Sequence, residues 1–288
     1  MGAVRSCAIL RRNRLPEHQR SPDALRVAKE AVAANPRWYH TIDLAPGLST
    51  PGQYDLRPTV DRIPWPDLAG KRCLDIGTYD GFFAFEMERR GAAEVVATDL
   101  KEHEEWDLPD AERSSSLEGM RRWGEKGSGF LIAKEALGSA VRREWMNVYD
   151  LSPERIGMFD VVFCGSLLLH LSDPVGALRA IHSVTKGTFI SAEAIDLKMT
   201  LLHPRRAVFK FMGTARFRQW FVANQLGHEQ LLESVGFRIE ATSDRYVVPF
   251  GPTHPKLPTG WRTSAREVLE RRMAGGTGVP HRAIRVGV

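Results

Sequence analysis

The chain is poor in cysteine, with three in 288 residues and no spacing that suggests a metal site or a disulfide framework. Cys73 and Cys164 fall in apolar, strand-like runs and read as small buried hydrophobes. A want of paired cysteines fits a reducing cytoplasm. Long apolar runs are also lacking: none approaches the roughly 20 residues of a membrane helix. The Cys7 to Leu10 run is too short for a signal-peptide centre. Internal repeats, low-complexity tracts and a separate RNA-binding module are not found. The expectation is a soluble, cytoplasmic protein without membrane contact. With 43% hydrophobic residues, it can bury a full core.

Charge is unevenly placed around a net +5. Residues 1–37 carry eight basic side chains (Arg5, Arg11, Arg12, Arg14, Arg20, Arg26, Lys29 and Arg37) against three acids, Glu17, Asp23 and Glu30. The acidic stretch from Glu102 to Glu112 lacks a ligand pattern and reads as a solvated loop, so no metal is expected. A second basic block holds Lys198, Arg205, Arg206, Lys210, Arg216 and Arg218, with no acid among them. Such blocks can contact RNA phosphates, but more often they form a solvated face.

What the chain does have is a strand–glycine-turn–helix–strand unit. A buried strand (Cys73 to Ile76) meets a turn marked by Gly77 and Gly81, then a helix, then a strand ending in Asp99. This is the first half of a nucleotide-binding unit: glycines admit the ligand to backbone, and the acid accepts hydrogen bonds from a ribose diol. An ionised Asp75 two residues before the first glycine would repel a pyrophosphate but suits an ammonium group. S-adenosylmethionine carries an ammonium, a ribose and a cationic sulfonium, so the loop points to a methyltransferase rather than a dehydrogenase. Tyr79 and Asp80 occupy positions where a fuller motif has a glycine and a small residue, which predicts positive φ at Tyr79.

From Lys71 onward strand and helix patterns alternate, as a parallel sheet requires. Strands are predicted at 72–76, 94–98, 143–148, 159–164, 187–193, 236–242 and 245–249. Helices are predicted at 82–90, 115–124, 128–138, 173–184 and 225–234. The expected fold is α/β: a Rossmann-like, seven-stranded, mostly parallel sheet with helices on both faces and an N-terminal helical and aromatic lid. Within the lid, residues 1–20 show no hydrophobic period and read as disordered. A helix runs from Ser21 to about Ala34, a strand-like run covers Trp38 to Leu44, and a helix is expected over Leu56 to Ile63. The boundaries are 1–70 for tail and lid, 71–250 for the core with a basic insertion at 197–224, and 251–288 for a C-terminal extension. Ser166 and His170 follow the fourth parallel strand, where ligands of doubly wound sheets sit.

Together these blocks resemble the class I S-adenosylmethionine-dependent methyltransferases. More narrowly, they resemble the branch of bacterial tRNA wobble-uridine 5-oxyacetate methyl- and carboxymethyltransferases. The residues that carry the likeness are Trp38-Tyr-His-Thr-Ile-Asp-Leu44 with Thr50-Pro-Gly52, Leu74 to Phe83, Phe159 to Pro174, and Trp220-Phe-Val-Ala-Asn224 with Val235-Gly-Phe237. The resemblance implies that Asp75, Gly77 and Gly81, with Thr78 and Tyr79 of the same loop, frame the methionine end of S-adenosylmethionine. It implies that Asp99 holds the ribose, that Leu100, Asn147 and Val148 border the adenine, and that Ser166 and His170 stand between cofactor and acceptor. Carboxymethyl-transferring relatives have a tyrosine just before that histidine. Leu169 stands there instead, and a buried carboxylate against leucine is costly, so ordinary S-adenosylmethionine is favoured.

His170 is the first candidate for a general base, with packing as the alternative. His203 and His228, which border the basic block, are further candidates, and His40 reads as a lid residue. Phe82, Phe83, Trp38 and Tyr39 are either pocket lining or core, and Trp220 and Phe221 either wall an acceptor site or simply pack. The leading reading is an S-adenosylmethionine-dependent methyltransferase acting at oxygen on a small molecule, as in secondary metabolism. A tRNA acceptor is the alternative, and a catalytically silent cofactor-binding or interaction protein is the second alternative. Self-association is left open.

Overall fold

Strands with buried apolar centres assemble into the expected sheet around β3 (Arg72–Ile76). The computed structural model describes residues 21–214, 218–255 and 277–288. The expectations for residues 1–20, with the basic side chains up to Arg20, and for Arg216 lie outside the described residues. With strands numbered along the chain, β3 pairs in parallel with β4 (Glu94–Asp99) and β6 (Phe159–Gly165). Beyond them, β5 (Arg142–Trp145) adds to β4, and β7 (Thr185–Ala194) adds to β6, again in parallel. Next to β7 lies the reversed strand β12 (Gly278–Gly287). Its far flank is shared by β10 (Arg238–Thr242) and β11 (Tyr246–Pro249). The order across the sheet is β10–β12–β7–β6–β3–β4–β5.

Among the described residues the sheet thus has eight strands, one more than expected, and is mostly parallel. The expected 245–249 strand is present as β11, and the strand that the sequence did not announce is 278–287, in the region read as an extension. Its two faces explain the pairing: Ala283, Ile284 and Val286 are fully buried in the core. The polar residues His281, Arg282 and Arg285 interrupt that pattern and obscure the strand in the sequence.

Helices cover both faces. On one face α1 (Pro22–Ala34), α2 (Phe82–Arg89) and α4 (Ser128–Leu137) bury Val32, Ala84, Phe85, Met87, Phe130 and Ala133. On the other, α5 (Pro153–Ile156), α6 (Pro174–Val184) and α8 (Gln225–Glu233) bury Ile156, Leu178, Ile181 and Leu232. Local chemistry sets the helix starts. Asp173 accepts from Gly176 N ahead of Pro174, and Asn224 accepts from Gly227 N, each at 2.8 Å. Helix α3 (Arg113–Arg121) precedes α4.

The lid segment departs from expectation in one place. No α-helix forms over 56–63; a turn leads into a single 3₁₀ turn at Val60–Arg62. Pro58 and Pro64 bias the residues before them, Arg57 and Ile63, away from helical conformation and so shorten the segment at both ends. The preceding run makes only a short hairpin, β1 (Asp43–Ala45) with β2 (Leu48–Ser49), and a bridge from His40 to Tyr54. The basic insertion is structured as α7 (Leu197–Leu202) and an antiparallel hairpin, β8 (Phe209–Thr214) with β9 (Gln219–Ala223). Among the described residues, no helix is long and apolar enough to cross a membrane, and no group of three His, Cys, Asp or Glu side chains could hold a metal ion.

Candidate functional site

The parallel strands end together at one edge of the sheet, and the sequence-derived residues other than His203 and His228 gather there. The turn after β3 folds tightly because Gly77 N and Thr78 N both donate to Thr98 O, at 2.9 and 3.0 Å. Gly77 and Gly81 have φ of 73° and 93°, where a side chain would be strained. Tyr79 has φ of 50°, as its place in the loop predicts. That bend aims Tyr79 N at Asp99 Oδ2, 2.9 Å away. Thr78 is buried.

Asp75, near the end of β3, is 2% exposed, and its Oδ2 has no hydrogen-bond partner among the described residues. Burial pushes its pKa up to about 7. Asp80 instead fastens the lid to the glycine loop. Its Oδ2 accepts from Tyr39 N at 2.6 Å and from His40 N at 3.0 Å. Trp38 and Phe82 are buried in the core cluster, with Phe83 packed against it. Tyr39 lies against the Tyr79 ring, with centroids 4.8 Å apart.

Asp99 closes β4 and is densely partnered. Its Oδ1 accepts from Leu100 N at 2.7 Å and from Lys126 Nζ at 2.9 Å, and Arg143 approaches Oδ2 at 3.6 Å. Lys126 also lies 5.5 Å from the ring centroids of both Tyr79 and Trp106. The cleft between Arg37, Tyr79, Asp99, Trp123 and Lys126 has only about 20 Å³ of free space, room for about one water. Asn147 and Val148 follow β5. The Asn147 Oδ1 accepts from Tyr149 N at 3.1 Å, and Val148 is buried. The acidic stretch is less solvated than expected. Asp107 Oδ2 accepts from Tyr149 Oη at 3.0 Å and from Ser172 N and Oγ at 2.7 Å, tying it to the loop after β6.

That loop carries Ser166 and His170. Ser166 has φ of 52°. Its Oγ lies 2.8 Å from His281 Nε2, while His281 Nδ1 faces Val279 O at 2.9 Å. A carbonyl only accepts, so Nδ1 carries the proton and Ser166 donates to Nε2. Burial lowers the His281 pKa to about 4, which keeps the ring neutral. Glu193, on β7, accepts at Oε1 from Leu167 N and Leu168 N, at 3.2 and 3.3 Å, and its buried Oε2 has no partner among the described residues. Burial lifts this carboxyl to about 8. A mostly protonated acid therefore pins the first turn of the loop.

The three histidine candidates separate. His170 Nδ1 donates to the carbonyl of Arg218, which leaves Nε2 with the lone pair; burial lowers its pKa. Trp106 stands 6.0 Å from its ring. His228 is core: it is 2% exposed, its Nε2 lies 2.9 Å from Ser191 Oγ, and burial drives its pKa to about 3. His203 is exposed at the end of α7 and lines another cleft with Asn224 and Arg245. His40 is buried, with its pKa lowered to about 3 by burial. Trp220 packs through Nε1, which donates to Asp107 O at 2.8 Å.

Sequence reasoning missed Lys126, Arg143, Glu193 and His281. Glu193 offered a signal, an acid near the end of an otherwise apolar strand. Lys126 offered none, since its partner lies in a different sheet–helix unit.

The sequence pattern described as "Methyltransferase domain" matches residues 51–242. A ubiquinone biosynthesis O-methyltransferase of Pseudomonas aeruginosa (strain LESB58) is 30% identical over 217 residues, which span 71% of this chain and 80% of that one. A tRNA U34 carboxymethyltransferase of Campylobacter hominis is 31% identical over 120 residues, 42% of this chain and 34% of that one. Among solved structures, a putative methyltransferase of Bacillus halodurans C-125 superposes with a TM-score of 0.47 at 13% identity, over 81% of this chain and 97% of that one.

Proposed function

We propose that this chain, which belongs to the S-adenosylmethionine-dependent methyltransferase family, methylates an oxygen of a small-molecule acceptor, as an enzyme of secondary metabolism would. The observation that carries the reading is the tautomer of His170. With Nδ1 committed to the Arg218 carbonyl, Nε2 is a neutral base on the loop after β6. A hydroxyl acceptor needs such a base; an acceptor that is already nucleophilic does not.

The residues at the strand ends fit the cofactor. Asp75 Oδ2 is a buried acceptor without a partner among the described residues, which an ammonium group would satisfy. Gly77, Thr78, Tyr79 and Gly81 bring backbone to the methionine end. Asp99 would take the ribose diol by giving up Lys126, with Leu100, Asn147 and Val148 around the adenine and Ser166 beside the acceptor. When bound, S-adenosylmethionine supplies a methyl carbon already activated by a sulfonium. The chain contributes position, worth roughly 7–11 kcal/mol in well-oriented reactions, and excludes water. Glu193 supports His170 indirectly by holding the loop at Leu167 and Leu168.

The extent of the likeness to the ubiquinone O-methyltransferase, 80% of that protein, supports a small acceptor. A second reading, tRNA, is favoured by the Campylobacter relative and by the exposure of Lys198, Arg205, Arg206 and Lys210. Incubation with labelled S-adenosylmethionine and fractionated cell extract separates them. Label in small metabolites is expected. Label in RNA overturns the reading, and cofactor binding without label anywhere would favour a silent binding protein.

A further inference from the structure

Trp123 carries two guanidinium groups that form no ion pair with a carboxylate among the described residues. The Cζ of Arg37 stands 3.4 Å from its ring centroid and that of Arg218 stands 4.6 Å away. Stacking on an aromatic face satisfies the plane of an arginine and leaves its edge N–H groups free to grip an anion. Arg37 donates one of them, through Nη2, to the uncharged amide oxygen of Gln53 at 2.7 Å. The Nε of Arg37 and the Nε of Arg218 are buried without a hydrogen-bond partner among the described residues. The nearby acids make their hydrogen bonds elsewhere, Asp80 Oδ2 with the N–H groups of Tyr39 and His40 and Asp99 with Lys126, so that Asp80 meets Arg37 only through its charge.

Two like charges held on one ring, each with a buried Nε donor left unpaired among the described residues, are unfavourable unless something negative joins them. Their place says what that is. Arg37 lines the cleft of Tyr79, Asp99 and Lys126 on the cofactor side. Arg218 offers its carbonyl to His170 Nδ1 on the acceptor side, from a backbone φ of 52°. A bulky residue held there is strained, and such strain persists only where the surroundings enforce it. The pair therefore sits between the glycine loop and the candidate base.

We propose that Arg37 and Arg218, aligned by Trp123, bind a carboxylate carried by the acceptor and so orient its hydroxyl toward His170. The acceptor is then a hydroxylated small-molecule acid, and Arg218 is a positioning residue as well as a binding one. This rests on the small-molecule reading above.

Calorimetry on the full chain saturated with S-adenosylhomocysteine tests it, with benzoate as probe and benzamide as its uncharged counterpart. Benzoate is expected to bind at least about tenfold more tightly than benzamide. Arg37→Met and Arg218→Gln should each weaken benzoate by about tenfold or more, the low end for removing one charged partner. S-adenosylhomocysteine affinity should stay unchanged in Arg218→Gln. Because Arg218 lies on a strained backbone, Arg37→Met keeps the test decisive if Arg218→Gln does not fold. Equal binding of benzoate and benzamide, no benzoate binding, or full benzoate affinity in a folded Arg37→Met protein overturns the proposal. Loss of tRNA binding in the variants, with no benzoate binding to the wild type, also overturns it and assigns the pair to RNA phosphate. Failure of S-adenosylhomocysteine to bind at all would instead strike the methyltransferase reading, so the two failures are read separately.

Discussion

Lys126 Nζ stands 2.9 Å from Asp99 Oδ1, and the two side chains are only 5% and 8% exposed. Removing one member of a buried pair usually costs about 3–5 kcal/mol. Asp99 keeps Tyr79 N, Leu100 N and Arg143 as partners, so Lys126→Met should fall near the low end, about 3 kcal/mol in urea unfolding. In the proposed cofactor site the ribose diol would compete with Lys126 for the Asp99 carboxylate. Lys126→Met should therefore bind S-adenosylmethionine more tightly. Weaker binding in calorimetry would show that the ammonium contacts the cofactor itself.

In that Lys126→Met background, Asp99→Ala leaves no orphaned lysine. It should weaken S-adenosylmethionine binding by roughly 1.5–3 kcal/mol, the scale for a charged hydrogen-bond partner. Unchanged affinity in a folded double variant removes Asp99 from the ribose site.

His170→Asn should lower turnover about 10²- to 10⁴-fold for a hydroxyl acceptor, with cofactor affinity preserved. Burial lowers the His170 pKa from its ordinary value, so the acid limb of kcat/KM should lie below about pH 6.5. Turnover within a few-fold of wild type would reduce His170 to a packing residue.

Stability should fall as the solution is made alkaline. Burial holds Glu193 at about 8 and Asp75 at about 7. The folded chain therefore keeps protons that the unfolded chain has released, and the stability tied to them is lost as pH rises through those values. His40, His228 and His281 are depressed to about 3, 3 and 4, so their stabilising contribution is lost only as pH falls below the ordinary histidine range. Between pH 6.5 and 8.5, Glu193 alone should account for about 2 kcal/mol. Glu193→Gln, which mimics the protonated acid, should flatten that limb in urea titrations; an unaltered slope would assign it to other groups.

The parts of the fold that were legible in the sequence are those dictated locally. β3, β4 and β6 each centre on buried apolar residues, Gly77 and Gly81 announce the turn, and Asp173-Pro174 announces α6. Even the positive φ of Tyr79 follows from its place in the loop. The β8–β9 hairpin stayed hidden because Lys210 and its basic neighbours dominate the segment's composition. In the site, Asp75 and Asp99 were legible because a strand end fixes where they point. The partnerships of Asp99 with Lys126, of Asp80 with the lid and of Ser166 with His281 join distant segments, and no local pattern encodes them. His228 shows the converse: its position near the basic block suggested chemistry, whereas packing against Ser191 decides its state.

The location of β12 bears on how the molecule is made. As the chain emerges during synthesis, β7 comes out with one hydrogen-bonding flank open, and β10 and β11 follow with no strand to join. Only when residues 278–287 appear can the three be knitted together. Such late, non-local pairing slows folding and leaves an apolar edge open to other chains in the meantime. His281, which completes the Ser166 contact, arrives with the same strand. The edge of the sheet and that corner of the site are thus finished in a single event.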